Sequence, residues 1–229
     1  MKVTYYGHAC FLAEIQRKKI LFDPFIANNP LASQIDVNSI KTDYILISHG
    51  HNDHISDALT ICSNNNSEII SNFEIINWFN NQGIKKVYPL NIGGKIVLDF
   101  ATFMMVNAVH SSGLPDNIYG GAAAGYVISS NDGNFYFAGD TALTYDMKII
   151  PQFTSLDFAI LPIGDNFTMG IEEAIIASDY LKCNKIVGMH YDTFQSIKID
   201  KNNAVNKFRK HGKELILLKI GETINIQKK

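Results

Sequence analysis

Cysteine and tryptophan are scarce in this chain, and neither a long apolar run nor a block of like charge occurs anywhere in it. The three cysteines, Cys10, Cys62 and Cys183, are odd in number, far apart and set in apolar surroundings. They read as reduced core thiols, which excludes a disulfide scaffold and a C-x-x-C redox pair. No run is long enough to cross a membrane, and Met1-Lys2-Val3-Thr4-Tyr5 enters a strand pattern directly, without the apolar segment of a signal peptide. The expectation is a cytoplasmic protein. Its 20 basic and 22 acidic residues are scattered and leave a net charge of −2, so neither nucleic acid nor a membrane surface is expected as a partner. A small-molecule substrate is, and the oligomeric state stays open.

What is present is apolar sequence in quantity, 46% of 229 residues, enough to bury a sizeable core. Nothing reads as a linker, so one domain over residues 1–229 is expected. Short strands are predicted at Val3–Tyr6, Cys10–Ile15 and Ile20–Phe22. Alternating units follow: a helix over Ser56–Cys62, a strand at Glu68–Ile70, a helix over Phe73–Phe79 and a strand at Lys86–Leu90. From Lys95 to Val109 strands come in series, and Asn131-Asp132-Gly133 between Tyr126–Ser130 and Asn134–Ala138 is a hairpin signal. The remainder returns to α/β units, with helices near Thr144–Ile150, Ile171–Leu181 and Ala204–His211 and strands at Phe158–Ile163, Ile186–Met189, Leu215–Lys219 and Thr223–Ile226. In the Ile171 helix, Ile171, Ala174, Ile175, Ser178 and Leu181 form an apolar stripe. The pattern by itself supports an α/β fold.

The chemistry is concentrated in Ser48-His49-Gly50-His51-Asn52-Asp53-His54, directly after the apolar run Tyr44-Ile45-Leu46-Ile47. Imidazole and carboxylate suit zinc, iron and manganese. Two residues spaced i, i+2 on extended backbone point to the same side, which makes His49 and His51 a pair for one ion. Asp53 and His54, one tight turn further on, suit a second ion beside it. Three more candidates end apolar runs where a strand gives way to a loop: His110, Asp140 and His190.

The H-x-H-x-D-H pattern resembles the signature of the metallo-β-lactamase superfamily. Tyr6-Gly7-His8-Ala9-Cys10-Phe11, the stretch from Leu161 to Gly170, and Met189-His190-Tyr191 are similar to a branch of metal-dependent hydrolases related to L-ascorbate-6-phosphate lactonases. The resemblance covers the whole chain and implies a four-layer αββα sandwich. It assigns His49, His51 and His110 to one metal and Asp53, His54 and His190 to the other, with Asp140 bridging. The cofactor implied is two divalent ions, zinc first, with manganese or iron as alternatives. It also implies that Asp23, in Leu21-Phe22-Asp23-Pro24, holds the metal-site loop, and that His8 at the pocket edge is the general acid. Asp53 would bind metal and accept a proton from a water shared by the ions, whose pKa would fall to about 7.

The Gly164–Thr168 loop and Tyr119-Gly120-Gly121 are candidates for pocket lining, with Thr168 as the N-cap of the next helix. The leading functional expectation is a binuclear hydrolase acting on a small ester, lactone or phosphoester. A one-iron oxygenase of the persulfide dioxygenase type and a non-catalytic metal-binding protein are the alternatives. The nuclease branches and exported antibiotic-hydrolysing lactamases fit poorly, since the chain has neither a basic stripe nor an export signal.

Overall fold

Buried residues alternate along the first two strands, and the side chains that this alternation turns inward meet a second sheet. The structure, a computed structural model, describes residues 1–228, with the side chain of Asp116 outside the description. The first sheet has seven strands in the order Thr223–Asn225, Lys2–Gly7, Cys10–Ile15, Lys18–Phe22, Tyr44–Leu46, Glu68–Asn72 and Val87–Leu90. Its first three pairings are antiparallel and its last three parallel. The second sheet mirrors it with Glu214–Ile216, Lys185–Met189, Phe158–Pro162, Gly133–Phe137, Ala124–Ser130, Ala101–Asn107 and Lys95–Val97. There the parallel pairings come first and the antiparallel ones last.

One apolar core runs between the two sheets, from Val3, Phe11 and Phe22 of the first to Phe103, Tyr126, Phe137 and Ile160 of the second. Phe22 crosses the gap, with its ring centroid 4.7 Å from Phe137 and 5.9 Å from Phe135. A second cluster lies on the outer face of the first sheet, where Ile61, Ile75 and Phe79 of helices Ala58–Asn65 and Phe73–Asn81 cover Ile45 and Ile69. Helices Ile171–Tyr180 and Lys201–Lys210 pack on the second sheet, burying Ala174, Ile175, Ala204 and Phe208. The result is helix, sheet, sheet, helix, with two large sheets face to face.

Several expected elements shift. The helix near Thr144–Ile150 is a 3₁₀ turn over Tyr145–Ile149, and the α-helix, Ile150–Phe153, begins only where Pro151 can occupy its first turn. The last long helix starts at Lys201 instead of Ala204, because the Asp200 carboxylate accepts the Asn203 N–H at 3.0 Å and caps it there. The Ile171 helix is capped by Gly170, without a side-chain bond, so the expected Thr168 cap is not formed. A two-stranded ribbon, Gly113–Leu114 with Ile118–Tyr119, was not foreseen. Its strands are too short to carry an alternation.

Candidate metal centre

His49, Gly50 and His51 leave the Tyr44–Leu46 strand in extended backbone, and a single helical turn, Asn52–Ile55, then folds Asp53 and His54 back beside them. From the second sheet come His110, after Ala101–Asn107, Asp140, after Gly133–Phe137, and His190, after Lys185–Met189. All seven residues from the motif and the strand ends therefore meet where the two sheets abut.

Asp140 is at the middle. It is 3% exposed, and its Oδ2 lies 2.9 Å from His190 Nε2, 3.3 Å from His54 Nε2, 3.6 Å from His110 Nε2 and 4.0 Å from His49 Nε2. Gly139 makes this approach possible. Its φ is +61°, and a Cβ there would stand 2.7 Å from Ser48 Cβ and 2.8 Å from the Ala124 carbonyl.

Around Asp140 the nitrogen and oxygen donors fall into groups. Those of His49, His51 and His110 lie within 4.8 Å of one another, and so do those of His8, Asp53, His54 and His190. His49 Nε2 faces His51 Nδ1 at 3.0 Å, while Ser48 Oγ sits 2.9 Å from His49 Nδ1. A protonated His49 Nδ1 that donates to Ser48 leaves the Nε2 lone pair turned into the cluster.

Asp23 stands behind the centre, wholly buried, at the end of the Lys18–Phe22 strand in a left-handed conformation with φ 41°. Its carboxylate accepts Ser48 N–H at 2.7 Å, Ser48 Oγ–H at 2.5 Å and His54 Nδ1–H at 2.8 Å. His54 is thereby fixed with Nε2 toward Asp140. Burial alone would lower the His54 pKa, but Asp140 and Asp23 on either side outweigh it and hold the imidazole protonated well above its ordinary range. For Asp140 burial acts upward, and the His54 and His190 charges overcome it, so its pKa lies well below the carboxylate range. Burial, reinforced by the His54 charge, pushes His49 and His51 down.

Does this donor set fit metal ions? Asp140 Oδ1 is buried with no hydrogen-bond partner among the described residues, and buried His54 Nε2 has only its 3.3 Å approach to Asp140 Oδ2. Buried polar atoms are rarely left so in proteins. Five imidazoles gathered about one buried carboxylate have, without a cation, only a proton to share. A divalent ion replaces that proton with a charge the donors can all face, so the residues fit the group.

His8 differs from expectation in its placement. It is 0% exposed and stands behind Asp53, away from the pocket edge: Nε2 is 3.1 Å from Asp53 Oδ2 and Nδ1 is 3.0 Å from Thr193 Oγ1. Burial pushes its pKa down to about 4, against the pull of Asp53. The Asp53 pKa, which burial would raise, is held well below its usual range by the His8 hydrogen bond and the His54 charge.

The centre opens into a cavity of about 470 Å³, lined by the His51, Asp53, His110, Asp140 and His190 side chains together with Ser111, Phe167, Phe194 and Ser196. Of the Gly164–Thr168 loop only Phe167 reaches it. Tyr119 and Gly121 line a neighbouring shallow hollow that shares His110 and Ser111 with it.

A profile described as "Beta-lactamase superfamily domain" matches residues 18–191. A metal-dependent hydrolase of Flavobacterium johnsoniae is 51% identical over 99% of this chain and 100% of its own length. The chain belongs to the metallo-β-lactamase superfamily. Among solved structures, a metallo hydrolase from the archaeon Ignicoccus hospitalis superposes with a TM-score of 0.90 at 34% identity, covering 100% of this chain and 99% of that one. An isothiocyanate hydrolase from Delia radicum gut bacteria shares the fold, at 20% identity and a TM-score of 0.81 over the full length of both chains.

Within this superfamily member, Ser48, Ser111, Thr193, Phe194 and Ser196 were not found from sequence. Ser48 had a usable signal, since a hydroxyl beside a ligand-type histidine at a strand end suits an orienting role. Thr193 lies in an irregular loop and Ser196 in the single 3₁₀ turn Gln195–Ile197, both too short for a periodicity to mark which side chains turn inward. Among the described residues no helix is long and apolar enough to cross a membrane.

Proposed function

We propose that this superfamily member is a binuclear metal-dependent hydrolase of a small ester, lactone or phosphoester. The observation that carries the reading is Asp140, one buried carboxylate within 4.0 Å of imidazoles from both donor groups. On this reading His49, His51 and His110 hold one ion, Asp53, His54 and His190 hold the other, and Asp140 serves both. Two divalent ions, zinc first, would acidify water at neutral pH and polarise the oxygen of the bond under attack.

The chain's own groups supply orientation and proton handling. Asp23 and Ser48 fix the tautomers of His54 and His49. Asp53 lines the cavity at a depressed pKa, so it stays an acceptor at neutral pH. His8 acts on Asp53. Its Nε2 holds Oδ2, and Thr193 holds the other ring nitrogen. A proton leaving His8 for the cavity would pass through Asp53, so His8 is a positioning residue and not the terminal acid.

Elemental mass spectrometry on protein purified without chelator tests the reading. Two ions per chain in the parent and one or fewer in Asp140→Ala is the expected result. Fewer than one ion per chain under metal-replete conditions defeats it, and a single iron in both would favour oxygen chemistry.

A further inference from the structure

We infer, building on the hydrolase reading, that the site selects an uncharged substrate with an apolar limb, and that Phe167 and Phe194 are the residues that select it. Beyond the donor set, the 470 Å³ cavity is walled by two phenylalanines and two serines. That volume suits a small molecule. No lysine or arginine is among the described residues lining it, so an anionic limb reaching past the ions of the hydrolase reading to the phenylalanine wall would leave water without a counter-charge. The lysines near the Phe167 loop, Lys198 and Lys207, line a different hollow, with Asp165, Glu172 and Asp200.

Both rings line the mouth, and Phe194 is packed there against other rings. Phe167 is 56% exposed and Phe194 37%, although most aromatic side chains of this protein are buried. Phe167 follows two non-glycine residues in left-handed backbone, Asp165 with φ 63° and Asn166 with φ 59°. The turn is closed by Asp165 N–H donating to the Met169 carbonyl at 3.1 Å. Such backbone is sparsely populated and needs its surroundings to hold it. Phe194 is backed edge-on by His8, with centroids 5.5 Å apart, and by Phe25 at 6.5 Å. Phe194, backed in this way, gives a limb contact at little ordering cost, and Phe167 adds apolar surface from a turn of fixed backbone. Ser111 and Ser196 supply neutral hydrogen-bonding groups beside it.

The test uses zinc-loaded full chain, phenyl butyrate, and the same ester carrying a 4-sulfonate on its ring. The sulfonate makes the phenol a better leaving group, so any preference for the neutral ester comes from recognition. The expected result is a kcat/KM for phenyl butyrate at least about tenfold above that for the sulfonated ester. Phe167→Ala should raise KM for phenyl butyrate about tenfold or more with kcat little changed, and Phe167→Leu should restore most of the loss. Calorimetric titration with butyrophenone, which cannot be hydrolysed, should show a matching loss of affinity in Phe167→Ala. Equal or better turnover of the sulfonated ester overturns the inference, as does an unchanged KM in Phe167→Ala. Butyrophenone binding that depends on Phe167, with no turnover of either ester, removes simple esters from the hydrolase reading and upholds the apolar limb. Absence of both binding and turnover overturns the inference.

Discussion

Replacing Asp23 by asparagine changes one oxygen for an NH₂ and leaves the side chain's shape, yet it should weaken metal binding by 10- to 100-fold. The carboxylate accepts three hydrogen bonds, from Ser48 N–H on Oδ1 and from Ser48 Oγ–H and His54 Nδ1–H on Oδ2. Asparagine can place its oxygen on one side only. With the oxygen facing Ser48 N–H, the amide NH₂ meets the His54 Nδ1–H, donor to donor. With the amide turned over, the NH₂ meets the Ser48 N–H instead. The first conflict can be relieved if His54 moves its proton to Nε2, the nitrogen that faces Asp140, and this blocks the lone pair a metal needs. The second leaves a buried donor unpaired, at a cost of about 1–3 kcal/mol. Outer partners of metal-bound histidines commonly contribute 10- to 100-fold in affinity, which is about 1.4–2.7 kcal/mol and agrees with that cost. Zinc affinity measured in competition with a chromophoric chelator, beside the thermal midpoint of the chelated protein, gives both numbers. If Asp23→Asn binds zinc as the parent does, the orienting role assigned to Asp23 is wrong.

Other outcomes follow from the same geometry. Chelation should lower the thermal midpoint: each ion held at one hundred times its Kd stabilises by about 2.7 kcal/mol, or roughly 5–10 °C in a chain of this size, and scanning calorimetry with and without chelator checks it. In Gly164→Ala the new Cβ would stand 2.0 Å from the His190 carbonyl, so His190 must move; the expected result is loss of metal or failure to fold, read by elemental analysis and circular dichroism. His8→Gln, which loosens the hold on Asp53, should keep both ions and lower kcat by about ten- to a hundredfold, with metal content measured beside the rate; unchanged turnover would remove His8 from the mechanism. At the surface, Asp43 has its pKa lowered by the Lys19 backbone N–H and the Lys18 ammonium against the opposing effect of burial. A folded pKa below the unfolded 3.8 means that this stabilisation is present above that pH and is lost as pH falls below it. Asp43→Asn should therefore be less stable than the parent at neutral pH, with a flatter acid limb below pH 4, so that the two profiles converge at the lowest pH.

The H-x-H-x-D-H cluster was legible because a strand, an extended exit and one helical turn are local structures, and local structure is what spacing encodes. The second sheet's contributions were legible only as a type, a histidine or aspartate closing an apolar run, since nothing in the sequence says that the Gly133–Phe137 and Lys185–Met189 strands flank Phe158–Pro162 in one sheet. Hairpins and buried strands could be read from alternation and turn residues. The 3₁₀ turn at Tyr145 could not, because its side-chain spacing is close to that of an α-helix. His8 shows where the reading fails most instructively: the family resemblance puts the histidine after Gly7 at the pocket edge, but it is buried behind Asp53, with its other ring nitrogen on Thr193, 185 residues away. The exposed phenylalanines that wall the cavity look no different in sequence from those of the core.

The outer strand Thr223–Asn225 pairs with Lys2–Thr4, and the Met1 amino group reaches the Ile226 carbonyl, 225 residues along the chain. A ribosome adding 5–20 residues per second needs roughly 10–45 s to cover that distance. During most of that interval His49, His51, Asp53 and His54 are already made, while His190 is still to come. On the two-ion reading the nascent chain would carry four of the seven donors early, and the donor set would be complete only when the late strands close over the early ones.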